Sequence, residues 1–377
     1  MPAHEGLLSS LALSLSLLVC LRLAWLLCRV IWSRRRQLFD YAFGVSSYNL
    51  LPCEYHAPVV GMVHHHEHDH HGAHEQPIAA HRLAVVTGAS RGIGRAFVRA
   101  LAEQGWCIAC VDLDDSELDA TVSQTCARLE RGWRGGVWVR TKRAPVAIKV
   151  GCDVTSVRAA MDTIQAALKG AAPDVGAIRL LINTVGVCTE APTLLMQHDA
   201  VTVERIVSAN TLFALQLTRS LWPALAEGCQ TIDKHGCSEG RRSGVLFVSS
   251  GAWLMPAAYA TVYAASNAAL GAFARGLRAE SVGLSVGVDV LAVTPGATSG
   301  CGNVRWSSPS EMAWLTEPEA VARAALLLLP TATDASITPL LVDAFRLHFL
   351  APLLPEIYLS RRLFERHAAQ RRGLIGD

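Results

Sequence analysis

A serine and a tyrosine stand thirteen positions apart in "GVLFVSSGAWLMPAAYATVYAASN": Ser250 closes an apolar, strand-like run and Tyr263 opens a helix-like one. A phenol can give or take a proton at a carbonyl oxygen. A hydroxyl can hold that oxygen while a hydride crosses to or from the carbon. Either residue alone would carry no weight. The pair needs a hydride carrier beside it, and the upstream sequence offers a place for one.

That place is "VVTGASRGIG", which follows an apolar run and opens an amphipathic one. Gly88 permits a sharp turn, Gly92 lets the backbone approach a diphosphate, and Gly94 lets the helix pack closely on the sheet. Ser90, Arg91 and Ile93 complete the loop. The helix start adds unpaired N–H groups and a positive dipole end, both suited to phosphate. A purely structural turn is the alternative, and the flanking strand and helix argue against it. About twenty residues on, Asp112 ends the next strand, where a carboxylate can accept from both hydroxyls of an adenosine ribose and repel a 2′-phosphate. Arg91 pulls the other way, because a guanidinium grips phosphate. The expected cofactor is therefore NAD(H), with NADP(H) open.

Further candidates follow the remaining strands. In "GCDVT", Asp153 and Val154 stand where a carboxylate reads an adenine amino group or merely caps a helix. Asn183 and Gly186 in "LLINTVG" suit a tight approach to the cofactor. Asn210 sits in a helix expected to be buried, where a polar side chain must find partners. Pro295, Gly296 and Thr298 in "VTPGATSG" can close over a nicotinamide.

These residues need a frame that brings strand ends together. From His81 the chain alternates strand-like and helix-like runs, with strands near 145–150, 178–184, 244–249 and 286–293. This pattern predicts an α/β fold: a Rossmann-like, doubly wound parallel sheet of six or seven strands with helices on both faces. The segments 129–143 and 227–243 read as surface loops, and Pro318 is placed to start a late helix. Cys107 and Cys110 form a C-x-x-C inside a strand, so their thiols should face opposite ways and pack as small apolar groups rather than bind metal.

Around this 81–330 unit the chain divides further. Residues 1–36 read as a membrane anchor: 7–32 are mostly apolar and long enough to span as a helix, although Arg22 and Arg29 interrupt them. Arg34, Arg35 and Arg36 follow at once, which places the rest of the chain in the cytoplasm. A cleaved signal peptide is the rival reading, but it calls for a shorter apolar core and basic residues before it. Residues 37–80 read as a linker. Its tract of His64, His65, His66, His68, His70, His71 and His74 can bind transition metals loosely, but it lacks fixed spacing on a rigid element and is assigned no metal site. Residues 331–377 read as an apolar extension, broken by Pro352 and Pro355, that lies along a membrane surface or caps the core.

Composition narrows the classes. Of 377 residues 51% are apolar and 18% charged, which allows a large core and argues against disorder. The net charge of +2, with no basic stripe, argues against a nucleic-acid partner. The 11 scattered cysteines suit reduced thiols facing the cytosol.

From about 82 to 300 the sequence resembles the short-chain dehydrogenase/reductase family. The anchor, "NTVG", "VSSGAWLMP" and the apolar tail are most similar to its membrane-bound branch of 17β-hydroxysteroid dehydrogenases and very-long-chain 3-oxoacyl-CoA reductases. The resemblance implies an oxidoreductase in the endoplasmic reticulum membrane, with its catalytic domain in the cytoplasm, acting on steroid or fatty-acyl ketones. It also implies a homodimer, formed through the helices bearing Asn210 and Tyr263, where Ala264, Ala265, Ala268 and Ala269 permit close packing. By motif Asn210, Ser250 and Tyr263 fall on catalytic positions. Segments 188–200 and 299–316 fall on the rim of the substrate pocket. Thr184 departs mildly from the family's second asparagine.

Asn267 departs seriously, standing where the family carries a lysine. An ammonium roughly 4–5 Å from a phenol, at an effective dielectric of about 20, favours the phenolate by about 3–4 kcal/mol. Only Lys142, Lys149, Lys169 and Lys234 exist to replace it. Two expectations follow: an oxidoreductase with altered or slowed chemistry, or a nucleotide-binding pseudoenzyme that serves as a membrane-bound scaffold.

Overall fold

A computed structural model describes residues 82–134, 144–230, 242–300, 315–332 and 336–338, together with Arg22 and six residues between 360 and 368. The anchor, the linker with its histidine tract and most of the C-terminal extension lie outside the described residues. Among those that are described, no helix is long and apolar enough to cross a membrane.

Seven parallel strands form one sheet: β1 (Arg82–Thr87), β2 (Cys107–Asp112), β3 (Ala147–Gly151), β4 (Ala177–Asn183), β5 (Ser243–Val248), β6 (Val288–Val293) and the short β7 (Ser336–Ile337). Their order is β3-β2-β1-β4-β5-β6-β7. The chain winds outward from β1 to β3, then returns to the other side of β1 to lay down β4. Loops leaving β1 and β4 therefore diverge at their carboxyl ends, and the resulting crevice is where doubly wound sheets bind ligands.

Parallel strands need helical crossovers, and these cover both faces. They are α1 (Gly92–Ala102), α2 (Ser116–Arg134), α3 (Val157–Val175), α4 (Ala200–Val207), α5 (Phe213–Gln230), α6 (Thr261–Gly283) and α7 (Pro318–Leu328). Strand alternation divides the core into two layers. Ala84, Val86, Ile108 and Cys110 pack with Phe97, Trp106, Leu118 and Leu326. Leu83, Val85, Cys107 and Ala109 pack with Ile164, Phe213, Leu225 and Leu270 on the other face. Cys107 and Cys110 thus lie in opposite layers, as their spacing requires.

Pro318 occupies the first turn of α7, where its missing N–H costs nothing. Two boundaries differ from the sequence reading: α2 continues to Arg134 and α5 to Gln230, each into residues expected to form a loop. In α2 the reason is visible. Leu129 is buried against the core, and Glu130 pairs with Arg134 one turn on. Those contacts outweigh the weak propensity of Gly132.

Candidate active site

The glycine turn is built on steric necessity. Gly88 adopts φ +64° and Gly92 φ +49°, backbone that side chains rarely tolerate. A Cβ on Gly94 would stand 1.9 Å from the Gly88 carbonyl oxygen, so α1 can cross β1 this closely only at a glycine. Thr184 locks the turn from the neighbouring strand: its hydroxyl donates to Thr87 O at 2.5 Å, and its amide donates to Thr87 Oγ1 at 3.2 Å. The residue that departs from the family asparagine thus clamps the ends of β1 and β4.

On the other side the loop is tied to β2. The Asp112 carboxylate accepts from Ser90 N at 2.8 Å and from Leu113 N at 2.8 Å, which fixes its orientation. Ser90 Oγ is buried with no hydrogen-bond partner among the described residues. Arg91 points to solvent and pairs with Asp115 at 3.1 Å and Glu117 at 2.6 Å. Asp153 accepts from the amide and hydroxyl of Thr155, at 2.9 and 2.7 Å, which closes a turn ahead of α3; the helix itself starts after Ser156 with no side-chain cap, so Asp153 does not cap it. Val154 beside it is buried in the core layer of α3.

The second half of the site is an open cleft. Ser250 and Tyr263 line it together with Ile93, Thr184, Gly186, Cys188, Asn267, Pro295, Gly296 and Thr298. Ser250 ends the loop after β5, and its Oγ accepts from Ala252 N at 3.2 Å, which leaves the hydroxyl proton to point elsewhere. Gly251 N donates to Pro295 O at 2.8 Å, holding the β5 and β6 loops together. A Cβ built on Gly186 meets nothing within 4 Å, so the floor of the cleft has room there.

Asn210 lies behind the cleft, 1% exposed, in a π-helical segment (Ser208–Leu212) that joins α4 to α5. Such segments recur at functional sites. Its amide accepts from Val187 N at 2.7 Å, donates to Val187 O at 2.9 Å and donates to Ser266 Oγ at 3.0 Å. Ser266 in turn donates to Tyr263 O at 2.8 Å. One buried asparagine therefore links the β4 exit loop to the helix that carries Tyr263.

Asn267 is 4% exposed, and its Nδ2 donates to Tyr263 O at 2.9 Å, one turn back along α6. The asparagine thus braces its own helix and brings no charge to the cleft. Of the two described lysines neither lines the cleft; Lys149 on β3 pairs with Asp114 and Asp119 instead.

The structure brings Ser250, Tyr263, Asn267, Gly186, Pro295, Gly296, Thr298 and Ile93 to one cleft and gathers Gly88, Ser90, Gly92, Gly94 and Asp112 at the adjoining turn. Asn183 is not brought to the cleft: it is buried and its Nδ2 faces Thr218 at 3.5 Å. It shares the sheet face of Leu181, two residues earlier, and so turns toward α5. Cys188, in the segment expected to rim the pocket, and Thr184, at the motif position noted above, both line the cleft, whereas Ser249 and Ser266 carry no such signal in the sequence. Adjacency is the signal that could have found those two, since Ser249 precedes Ser250 and Ser266 precedes Asn267.

Fold and site together define a doubly wound α/β protein with a diphosphate-type turn beside a serine–tyrosine cleft. The profile described as short chain dehydrogenase matches residues 82–309, and the chain belongs to that family of oxidoreductases. It is 30% identical over 260 residues to the ketoacyl reductase HetN of Nostoc sp., covering 68% of this chain and 78% of that one. It is 28% identical to the very-long-chain 3-oxoacyl-CoA reductase of Anas platyrhynchos, covering 56% of this chain and 58% of that enzyme. The same-named enzyme of Neurospora crassa is 30% identical, with 64% and 63% covered. The chain thus spans about three fifths of the length of these two relatives.

Among solved structures, the fold matches a 3-ketoacyl-(acyl-carrier-protein) reductase from Brucella melitensis complexed with NADH. The TM-score is 0.54 at 20% identity, covering 69% of this chain and 96% of that one. It also matches the L-sorbose reductase of Gluconobacter frateurii complexed with NADPH and L-sorbose, with a TM-score of 0.54 at 17% identity, covering 69% and 94%.

Proposed function

We propose that the protein reduces lipophilic ketones of the steroid or 3-oxoacyl type, using a nicotinamide dinucleotide and favouring NAD(H) over NADP(H). The observation that carries this reading is the meeting of Ser250 and Tyr263 in one cleft beside the glycine turn. The residues fit the dinucleotide. An orphaned, buried Ser90 hydroxyl and the start of α1 suit its diphosphate, the fixed Asp112 carboxylate suits its ribose hydroxyls, and the open floor at Gly186 suits its ring. The bound cofactor would supply the hydride.

The chain's own groups handle the oxygen. Ser250, with its acceptor side occupied by Ala252 N, can donate to a carbonyl oxygen. Tyr263 gives that oxygen its proton. No lysine among the described residues lines the cleft, and reduction asks of Tyr263 only a neutral phenol, so reduction is favoured over alcohol oxidation. Asn210 holds the β4 exit loop against α6. The names of the relatives, ketoacyl and 3-oxoacyl-CoA reductases, support a fatty-acyl ketone as substrate. The apolar 1–36 segment and its trailing arginines support an anchor in the endoplasmic reticulum membrane with this domain on the cytoplasmic side, ahead of the 37–80 linker and the 331–377 extension. A homodimer through α5 and α6 completes the reading.

Asn267 favours a second reading, a nucleotide-binding pseudoenzyme that acts as a membrane-bound scaffold. The two separate on turnover. Purified full-length protein with NADH and a long-chain 3-oxoacyl-CoA should consume both, and Tyr263→Phe should abolish the consumption. Nucleotide binding without turnover in the parent would favour the scaffold.

A further inference from the structure

Arg91 is the one cation within the glycine turn, and its fork is already committed. Its terminal nitrogen meets Asp115 Oδ2 at 3.1 Å and its Nε meets Glu117 Oε2 at 2.6 Å. Asp115 cannot swing aside freely, because its Oδ1 accepts from Glu117 N and Leu118 N, both at 3.0 Å, at the start of α2. The Leu118 amide, with Arg91, holds its carboxyl below the ordinary range. The neighbouring cation is committed in the same way, with Lys149 Nζ at 2.6 Å from Asp114 and 2.7 Å from Asp119. Both cations are thus held by carboxylates, Arg91 by Asp115 and Glu117 and Lys149 by Asp114 and Asp119.

A guanidinium recognises a phosphate ester through the same pair of N–H bonds that it gives to carboxylates. To hold a 2′-phosphate on an adenosine ribose, Arg91 would have to leave Asp115 and Glu117. The phosphate, itself close to doubly charged, would then settle among the carboxylates left behind. We propose that Asp115 and Glu117 are specificity-determining residues that withhold Arg91 from a coenzyme 2′-phosphate and bias the site toward the unphosphorylated dinucleotide. The inference rests on a nicotinamide dinucleotide occupying the glycine turn. Exposed ion pairs of this kind contribute little to stability. Their effect here is on which anion the arginine can take.

The test is calorimetric binding of NADH and NADPH to the full chain and to an Asp115→Asn/Glu117→Gln double variant, at low salt. Asparagine keeps an acceptor for the Glu117 and Leu118 amides, so the start of α2 survives. The NADPH dissociation constant should fall about tenfold while that of NADH moves by less than about twofold. Adding Arg91→Ala should cancel the gain. Should the double variant fold poorly, Glu117→Gln alone should give a smaller shift in the same direction. An unchanged NADPH-to-NADH ratio in a folded double variant, with the parent binding NADH, would refute the role of the two acids and leave the proposed function intact. A parent that takes up neither coenzyme would overturn both.

Discussion

Replacing Asn267 by lysine probes the chemistry most sharply. Asn267 sits one turn after Tyr263, and both line the same cleft. Its Nδ2 bond to Tyr263 O would be lost, but Ser266 Oγ already donates to that carbonyl at 2.8 Å, so no acceptor is orphaned. The cost to α6 is therefore about 1 kcal/mol or less. The gain is electrostatic: an ammonium about 4–5 Å from the phenol is worth about 3–4 kcal/mol to the phenolate at an effective dielectric of 20. Solvent at the cleft mouth reduces this to ~2–3 kcal/mol, which corresponds to a rate gain of roughly 30- to 150-fold wherever phenolate is the working form. Phenolate is the base for alcohol oxidation, so that direction should gain most. The assay is NAD⁺-dependent oxidation of a 3-hydroxyacyl-CoA from pH 6 to 9.5, parent beside Asn267→Lys. The variant's rising limb should lie about two units below the parent's, with reduction changed far less. Superimposable profiles would refute the reasoning and point to another proton relay.

Two further outcomes follow from the packing. Gly94→Ala puts a methyl 1.9 Å from Gly88 O and 2.6 Å from Thr184 Oγ1. Backbone must move, so the variant should lose about 2–3 kcal/mol in chemical denaturation and should bind no coenzyme. Burial pushes the Cys107 thiol up to about 11 and the Cys110 thiol up to about 12, from 9.0. The fold therefore favours neutral thiols, a stabilisation intact below about pH 9 and lost as pH climbs through 11 to 12. At pH 8.5 iodoacetamide should label exposed Cys126 in the native protein and reach Cys107 and Cys110 only after unfolding, as read by mass spectrometry.

The parts of the fold legible in the sequence are those that residue type alone enforces. Gly88 and Gly92 need backbone that other residues resist, and Gly94 needs the absence of a side chain, so the turn could be read directly. Period-two alternation in "CIACVD" told Cys107 from Cys110 correctly. What escaped depends on contacts distant in sequence. The face taken by Asn183 is decided at the last residue of β4, where the alternation of the whole strand has to be in register. The commitment of Arg91 to Asp115 and Glu117 depends on how the α1 start meets the α2 start, and no spacing rule encodes that. The partners of Asn210 in its π-helical turn, Val187 and Ser266, likewise lie 23 and 56 positions away.

Every proposed role requires a pyridine dinucleotide to lie against the turn at Gly88–Gly94 with its ring in the cleft of Ser250 and Tyr263. Isothermal titration of the full-length protein with NADH and NADPH measures this most directly. Saturable uptake at micromolar concentrations is expected, tighter for NADH and abolished in Gly94→Ala. No heat of binding from either coenzyme at millimolar concentration would contradict it.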